Sequence, residues 1–249
     1  MKNESEEYLD RVQELIGRLR REALPDIDEA ANRVCTTLRC GGRGYFFGCT
    51  HAGILTQEAY YRTGGLAVFN PIFAPGLTVD STPITITSEL ERTGGYGPII
   101  ARQAGLREGD LLFIHSVSGR NHVPVELALA ARELGVSVIG ITSLQYSKES
   151  ASRHPSGKRL FEVCDLVIDD LCPFGDALLR LPHSGVGVAP GSTVLGAAIV
   201  NAIAARVSAA YGKEGLLPPV YSSANVDRGG EYNRKVYETY RDQICYEMV

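Results

Sequence analysis

The sequence lacks an excess of basic charge and a signal-like apolar N-terminus. Its formal net charge is −4 with a pI near 5.8, and its one basic cluster, Arg18, Arg20 and Arg21, is typical of the solvated face of a helix. We therefore expect no nucleic-acid partner. The N-terminal residues MKNESEEY contain no apolar core, and the longest apolar run, Val194–Ala205, is too short to span a bilayer. These absences predict a soluble, cytoplasmic protein without a membrane partner.

Paired cysteines and metal-binding spacings are also missing. None of the six cysteines forms a C-x-x-C pair, and no histidine pair has the spacing of a zinc site. We therefore predict reduced, structural thiols and no metal. The cysteines occupy positions 35, 40, 49, 164, 172 and 245, and Cys49 differs from the others because it lies in a glycine-rich loop.

Two common cofactor motifs are absent as well. The loop GCTHAG, residues 48–53, lacks the second glycine of G-x-G-x-x-G, and no G-K-[ST] occurs in the chain. A nicotinamide site and a nucleotide P-loop are therefore disfavoured, and we predict no cofactor.

What the sequence does contain is a regular alternation of apolar strands and helices. Continuous apolar runs without period-two alternation predict strands that are buried on both faces, and the helical segments between them predict right-handed crossovers. The predicted strands are YFFG, LAVFNPIF, LLFIHS, VSVIGITS and CDLVIDD. We therefore predict a doubly wound α/β sandwich of three layers around a five-stranded parallel sheet.

Helices are also predicted before and after the strands. An apolar stripe predicts a first helix that stops before Pro25, and a second helix capped by Asp26 should follow it. The tail contains a small-residue helix, GSTVLGAAIVNAIAARVSAAY, and then a polar helix. We predict one domain over residues 1–249, with a helical N-terminal extension over residues 1–40 and a C-terminal helix within residues 229–249.

Four loops are rich in glycine and hydroxyl residues. The carboxyl ends of parallel strands meet at one edge of a sheet, where ligands bind. A single Ser or Thr before a helix is usually an N-cap, but recurrence at one edge favours a site for a single phosphate group. These loops are GCTHAG (48–53), HSVSGRN (115–121), TS (142–143) and APGST (189–193).

The segment SVSGRN, residues 116–121, resembles the phosphate loop S-x-S-G-x-T of the sugar isomerase (SIS) domain family. The similarity covers roughly residues 24–211 and includes GCTHAG and the closing segment PGSTVLGAAIVNAI. The segments ERTGGY (91–96) and PFGD (173–176) are similar to an uncharacterised bacterial SIS group of phosphoheptose-like phosphosugar isomerases.

The resemblance implies a flavodoxin-like SIS fold and a sugar phosphate ligand. Two residues depart from the family pattern: Asn121 replaces the usual Thr, and His51 stands where a small residue is common. By resemblance, the phosphosugar-binding residues are predicted to be Gly48, Thr50, His51, Ser116, Ser118, Gly119, Arg120, Asn121, Ser143, Ser192 and Thr193.

A base is needed if the protein removes a proton next to a sugar carbonyl. Glu91 is the first candidate, because related enzymes place an acidic base between strand two and its helix; the alternative is a solvated surface carboxylate. Glu89 is its substitute, and Glu58, two helical turns from His51, is a weaker candidate. His51 is a candidate for proton transfer to the sugar oxygen or for holding the phosphate.

Three further side chains have an open assignment. His122, just after the phosphate loop, and His183, before PGST, are either site residues or plain surface residues. Arg120 either binds a second anionic group or forms an exposed salt bridge.

The resemblance implies one of three uses of the site: aldose–ketose isomerisation, lyase or etherase chemistry on an amino-sugar phosphate, or non-catalytic sensing. No helix-turn-helix stretch with basic residues precedes the SIS region, which favours an isomerase over a transcriptional sensor. The small-residue segment GAAIVNAIAA and the N-terminal helices offer apolar surface that predicts a homodimer.

Overall fold

A five-stranded parallel sheet forms the centre of the computed structural model, which describes residues 3–246. Its strands are β1 (Gly44–Gly48), β2 (Phe69–Pro71), β3 (Leu111–His115), β4 (Ser137–Thr142) and β5 (Leu166–Asp169). Their order is β2-β1-β3-β4-β5, and all neighbouring strands are parallel. The prediction of a five-stranded parallel sheet is confirmed.

Helices cover both faces of this sheet. They are α1 (Glu4–Arg18), α2 (Leu24–Arg39), α3 (Ile54–Ala59), α4 (Thr85–Glu91), α5 (Tyr96–Gln103), α6 (His122–Glu133), α7 (Leu144–Glu149), α8 (Ser192–Lys213) and α9 (Gly229–Tyr240). One apolar core joins one sheet face to α1, α2, α8 and α9, and a second core joins the opposite face to α5 and α6. The three-layer sandwich is therefore confirmed.

The apolar strands follow from burial on both faces. In β1, Phe46 faces the core under α2 and α8, whereas Phe47 faces the core under α5 and α6. The rings of Phe46 and Phe113 stack with centroids 5.3 Å apart, and Phe69 meets Phe113 edge to face. Because successive side chains both reach a core, the strands read as continuous apolar runs.

The sheet grows outward from β1 in two opposite directions, so the topological switch point lies between β1 and β3. The connection from β1 leads outward to β2, and the next connection returns to β3 on the other side of β1. The loops that leave β1 and β3 therefore diverge, and a crevice opens between them at the carboxyl edge of the sheet.

The N-terminal helices differ from the prediction at Pro25. The chain does not break there: a π-helical turn, Leu19–Ala23, connects α1 to α2, and Pro25 lies in the first turn of α2. The predicted cap Asp26 is wrong, because Ala23 is the N-cap residue. Proline fits a first helical turn because its missing N–H would have no intrahelical acceptor there.

The ends of the two predicted terminal segments fall outside the described residues. Residues 1 and 2 belong to the predicted N-terminal extension, and residues 247–249 belong to the predicted C-terminal helical segment. Within the described residues, the C-terminal helix is α9, which ends at Tyr240.

A two-stranded hairpin and a short helix were not predicted. The hairpin consists of antiparallel strands β6 (Ala177–Arg180) and β7 (Gly187–Pro190), which lie between β5 and α8. Its strands are four residues long and mostly exposed or half-buried, so no apolar pattern marks them. Helix α4 has a single buried residue, Thr87, so no apolar stripe marks it in the sequence.

Helix α8 is longer than the apolar run suggested. Its 22 residues are long and apolar enough to cross a membrane by length and composition, so the expectation of a run too short for that is wrong. The side chains at Leu195, Ile199 and Ile203 recur on one face and are buried in the core. Gly196 allows close packing, because a Cβ there would lie 2.3 Å from the Leu55 side chain.

Candidate active site

The loop of residues 116–121, between β3 and α6, is held by its carbonyl groups. Each carbonyl from 117 to 120 accepts a hydrogen bond from the segment that begins at the end of β4. The bonds are Ser143 N to Val117 O (3.1 Å), Thr142 Oγ1 to Val117 O (3.1 Å), Ser147 Oγ to Ser118 O (2.9 Å), Leu160 N to Gly119 O (2.8 Å) and Arg153 N to Arg120 O (2.8 Å). The carbonyls therefore point away from the crevice.

The N–H groups of this loop are left to face another acceptor. Within residues 3–246, the amides of residues 117–121 and the hydroxyls of Ser116 and Ser118 donate to no protein acceptor. The loop leads into the N-terminus of α6, where Asn121 is the N-cap residue and its side chain makes no capping bond. Successive free amides at a helix N-terminus form a binding site for an anion such as phosphate.

Gly119 is required for this loop shape. Its φ is +57°, and a Cβ there would lie 2.9 Å from Ser147 Oγ and 3.2 Å from Leu160 Cβ. A larger residue would be strained by the backbone angle and would push against the hydrogen bonds that hold the loop. The glycine predicted for the site therefore has a clear structural role.

The loop after β1 forms the other wall of the crevice. Gly48 approaches the chain closely, since a Cβ there would lie 2.4 Å from Ala52 O. Thr50 has a φ of +54°, an unusual value for a residue other than glycine, and its N–H donates to Leu77 O at 2.7 Å. His51 is exposed in the short 3-10 turn that follows, Thr50–Gly53.

Glu91 lies beside the phosphate loop, at the end of α4. Burial raises the pKa of its carboxyl group, whereas a hydrogen bond from Asn121 and the charges of Arg92 and Arg153 act in the opposite direction. Burial also raises the pKa of the Cys49 thiol well above its ordinary value, with the Glu91 charge adding to the effect. The structure therefore brings together Glu91, Asn121 and Cys49, which are far apart in the sequence.

Asn121 connects the carboxylate to a cation. Its Oδ1 accepts a hydrogen bond of 2.7 Å from Arg153 Nη1, and the same side chain lies beside the carboxylate of Glu91. Asn121 thus lies between a buried carboxylate and a guanidinium group.

Three other candidate residues, Glu58, Glu89 and His183, make no described contact with the phosphate loop. Glu58 forms an ion pair with Arg62 and accepts a 2.9 Å hydrogen bond from Asn201 Nδ2 on α8. Glu89 is exposed on α4, and His183 is exposed between β6 and β7. These contacts do not connect any of the three to the phosphate loop.

His122 lies at the mouth of the site, in the first turn of α6. Its ring is 5.9 Å from the ring of His154, and its Nδ1 atom is buried without a hydrogen-bond partner among the described residues. The carboxylate of Glu126, on the next turn, accepts the backbone N–H groups of Gly95 and Gly97 and so caps α5.

Of the three remaining predicted hydroxyl residues, Ser143 and Ser192 make hydrogen bonds within the protein at helix N-termini. Ser143 Oγ accepts from Tyr146 N at 3.0 Å and donates to Cys172 O at 2.5 Å. Ser192 donates its N–H and its hydroxyl to the carboxylate of Asp176, at 2.8 and 2.6 Å. Thr193 follows, half-buried, in the first turn of α8.

A buried histidine was missed by the sequence reasoning. His115, the last residue of β3, is 1% exposed; its Nδ1 lies 3.0 Å from Ala52 O, and its Nε2 lies 3.9 Å from Oδ2 of the fully buried Asp170. Neither Nε2 nor that Oδ2 has another partner among the described residues. A polar residue at the end of an otherwise apolar strand was the available signal for it.

Arg153 and His154 were missed as well. They lie in the polar segment between α7 and β5, where no apolar periodicity or motif marks them. Within residues 3–246, no group of three His, Cys, Asp or Glu side chains is placed to hold a metal ion.

Comparison with known proteins gives matches over most of the chain. A family model described as SIS domain matches residues 7–143. The UPF0309 protein of Shouchella clausii is 44% identical over 243 residues, which cover 96% of this chain and 99% of that protein. The UPF0309 protein of Oceanobacillus iheyensis is 42% identical over 240 residues, which cover 96% and 98%.

Solved structures with the same fold include two phosphoheptose isomerases. The enzyme from Neisseria gonorrhoeae superposes with a TM-score of 0.52 at 15% identity, covering 81% of this chain and 93% of that chain. The enzyme from Francisella tularensis superposes with a TM-score of 0.50 at 17% identity, covering 80% and 94%. At these identities the similarity establishes the fold.

Proposed function

We propose that this chain, which belongs to the SIS domain family, binds a phosphorylated sugar at residues 116–121. We further propose that it catalyses proton transfer on that sugar, as in aldose–ketose isomerisation. The observation that carries this proposal is the row of free amides at residues 117–121. The carbonyl groups of residues 117–120 accept hydrogen bonds from other segments of the protein, and the hydroxyls of Ser116 and Ser118 lie in the same loop as the amides.

A phosphate dianion suits this arrangement. Backbone amides and hydroxyls donate to its oxygens, and the N-terminus of α6 adds a favourable dipole. Each charge-assisted hydrogen bond contributes about 1.5 to 3 kcal/mol. The loop is formed before the ligand arrives, because four of its carbonyls already have partners within the protein. A sugar without a phosphate would lack these contacts.

Glu91 is the base in this proposal. It would take a proton from the carbon next to the carbonyl; the C–H electron pair becomes the C=C bond of an enediol, and the carbonyl oxygen receives a proton. Return of the proton to the neighbouring carbon completes the isomerisation. His51, exposed in the first loop, is the candidate that moves the proton between the two sugar oxygens.

The surroundings of Glu91 support a base of this kind. Burial raises the pKa of its carboxyl group, which makes the ionised form a stronger base than an exposed glutamate. The base must be ionised to act, so kcat/KM should fall as the pH drops through this raised pKa. We expect the fall to begin at a higher pH than for an ordinary glutamate, and measurement of kcat/KM from pH 4 to 8 would check it.

Glu91→Gln is the test of the catalytic assignment. The variant keeps a hydrogen-bonding side chain but cannot accept the proton, so turnover should fall by about 10² to 10⁴-fold while ligand binding persists. Exchange of the sugar C1 or C2 proton in deuterated water, followed by NMR, reports the step directly. Glu89→Gln, an exposed glutamate two residues away on α4, is the matched control and should exchange like the wild type.

The outcomes separate the candidate functions. Exchange by the wild type and not by Glu91→Gln supports the isomerase. Exchange by both excludes Glu91 as the base. Tight binding without exchange by the wild type, on every sugar phosphate that binds, favours a sensor, and loss of a substituent from an amino-sugar phosphate favours an etherase or lyase.

We also propose that the protein is a homodimer that pairs through its helices. Helix α1 leaves Leu9 65% exposed, and α8 leaves Val194 41% exposed, so apolar side chains of both helices are available to a second copy. Light scattering should give twice the chain mass at micromolar concentration; a monomer would contradict this part of the proposal.

A further inference from the structure

Three arginines from different segments meet at the mouth of the phosphate loop. Arg120 belongs to the loop, Arg92 follows α4 directly, and Arg153 lies in the segment after α7. Arg153 is fixed by two bonds: its N–H donates to Arg120 O at 2.8 Å, and its Nη1 donates to Asn121 Oδ1 at 2.7 Å. Its guanidinium group is thereby held beside the N-terminus of α6.

These arginines have no carboxylate partner of their own. Within residues 3–246, none of the three forms an ion pair, whereas Arg132 and Arg159 each pair with a nearby acid. Arg120 Nε is buried and has no hydrogen-bond partner among the described residues. A buried guanidinium nitrogen without an acceptor is a donor that a bound anion could satisfy.

The charges of the cluster act on one another. Burial lowers the pKa of Arg153, and the neighbouring charges of Arg120 and Arg92 lower it further; Glu91 is the carboxylate that opposes them. One carboxylate against three guanidinium groups leaves positive charge uncompensated. Collecting like charges costs free energy in the unliganded protein, and an anion bound among them would offset that cost.

A single phosphate does not account for this cluster. The amides of residues 117–121 and the hydroxyls of Ser116 and Ser118 already provide seven donors, enough for the three free oxygens of one phosphate group without any guanidinium group. Guanidinium groups form paired hydrogen bonds to the planar edge of a carboxylate or to two phosphate oxygens. The cluster thus has the chemistry of a second anion site, next to the first.

We propose that the sugar phosphate bound by this protein carries a second anionic group, a carboxylate or a second phosphate, and that Arg92, Arg120 and Arg153 bind it. This inference rests on the proposed function, because it assigns the first phosphate to residues 116–121. It narrows the substrate class to phosphorylated sugar acids and sugar bisphosphates.

Calorimetry with matched probes tests the inference. Glucose 6-phosphate carries one anionic group, 6-phosphogluconate adds a carboxylate, and fructose 1,6-bisphosphate adds a second phosphate. We expect the wild type to bind at least one of the two doubly anionic probes about tenfold or more tightly than glucose 6-phosphate. The probe that gains identifies the second group.

Two variants and a control locate the effect. Arg153→Gln should lose about tenfold in affinity for the favoured probe and change its affinity for glucose 6-phosphate less than twofold. Arg92→Gln, which makes no hydrogen bond to the loop, should give a loss in the same direction and guards against disturbance of Asn121. Arg234→Gln, which removes the same charge from α9, should leave all three affinities unchanged.

Equal wild-type affinity for the three probes would overturn the inference and leave the phosphate assignment intact. An equal loss for all three probes in Arg153→Gln would also overturn it, because the arginine would then belong to the first phosphate. If no phosphorylated probe bound the wild type, or if Ser116→Ala with Ser118→Ala left binding unchanged, the proposed function itself would fail.

Discussion

The N-termini of α6 and α8 are similar in sequence and opposite in chemistry. Each begins at a segment of glycine and hydroxyl residues: SGRN directly precedes α6, and PGST spans the start of α8. At α6 the loop amides have no acceptor within the described residues, whereas at α8 the carboxylate of Asp176 accepts from Gly191 N, Ser192 N and Ser192 Oγ. A helix start of the same composition is thus open to a ligand in one place and capped by the protein in the other.

The difference arises from what the rest of the chain places nearby. Asp176 reaches α8 from the start of the β6–β7 hairpin, with a left-handed φ of +57°. Within residues 3–246, no acidic side chain accepts a hydrogen bond from the amides of residues 117–121; the nearby Glu91 lies beside the Asn121 side chain. Hydroxyl and glycine content therefore indicates a possible anion site, and the presence of an internal carboxylate decides whether one forms.

The largest effect that tests this comparison comes from the two loop serines. Ser116→Ala combined with Ser118→Ala removes two charge-assisted hydrogen bonds, worth about 1.5 to 3 kcal/mol each. Affinity for the tightest-binding member of a hexose and pentose phosphate panel should fall by about 10² to 10⁴-fold in calorimetry. Ser192→Ala is the control at α8 and should leave affinity nearly unchanged. A strong loss at Ser192 alone would reverse the comparison.

A smaller effect, on stability, is expected at α8. Asp176→Asn keeps the side-chain shape and tolerates the left-handed backbone, but it removes the negative charge at the helix N-terminus. Urea denaturation should show a loss of about 1 to 2 kcal/mol in the free energy of unfolding. Ligand affinity should stay within about twofold of the wild type; a large loss of affinity with unchanged stability would mean that Asp176 serves the ligand site.

The smallest effect concerns the opposite wall of the crevice. His115 Nδ1 lies 3.0 Å from Ala52 O and so connects the end of β3 to the loop after β1. An asparagine amide can place a donor near the Nδ1 position, whereas a glutamine amide reaches towards Nε2. We expect His115→Gln to weaken sugar phosphate binding by about 1 kcal/mol, the net value of one hydrogen bond. His115→Asn should keep most of the wild-type affinity. Equal losses in both variants would exclude a role for the Ala52 contact.

The sequence predicted the elements whose signal is local. The buried strands were visible as apolar runs, and the loop after β3 was visible because its motif lies within six residues. The capping of α8 by Asp176 was not predictable, because it depends on a short, mostly exposed hairpin that has no apolar pattern. The position of Arg153 beside Asn121 depends on the path of an irregular segment, and no local rule specifies that path.

Pro25 shows a different limit. A proline after an apolar helix favours a helix end, because its ring disfavours helical backbone angles at the preceding residue. The structure instead uses a π-helical turn to carry the chain into α2, with Ile27 and Ala30 packed in the core. Tertiary burial of the second helix decided the path, and burial is not visible in a short window of sequence.

The central claim is that the amides of residues 117–121 bind a phosphate dianion and that the α8 amides do not. Titration of the ¹⁵N-labelled protein with inorganic phosphate, followed by amide chemical shifts, tests it residue by residue. We expect saturable shifts at Ser118, Gly119, Arg120 and Asn121, and shifts near zero at Gly191 and Ser192. Shifts at the α8 residues without shifts in the loop would contradict the claim.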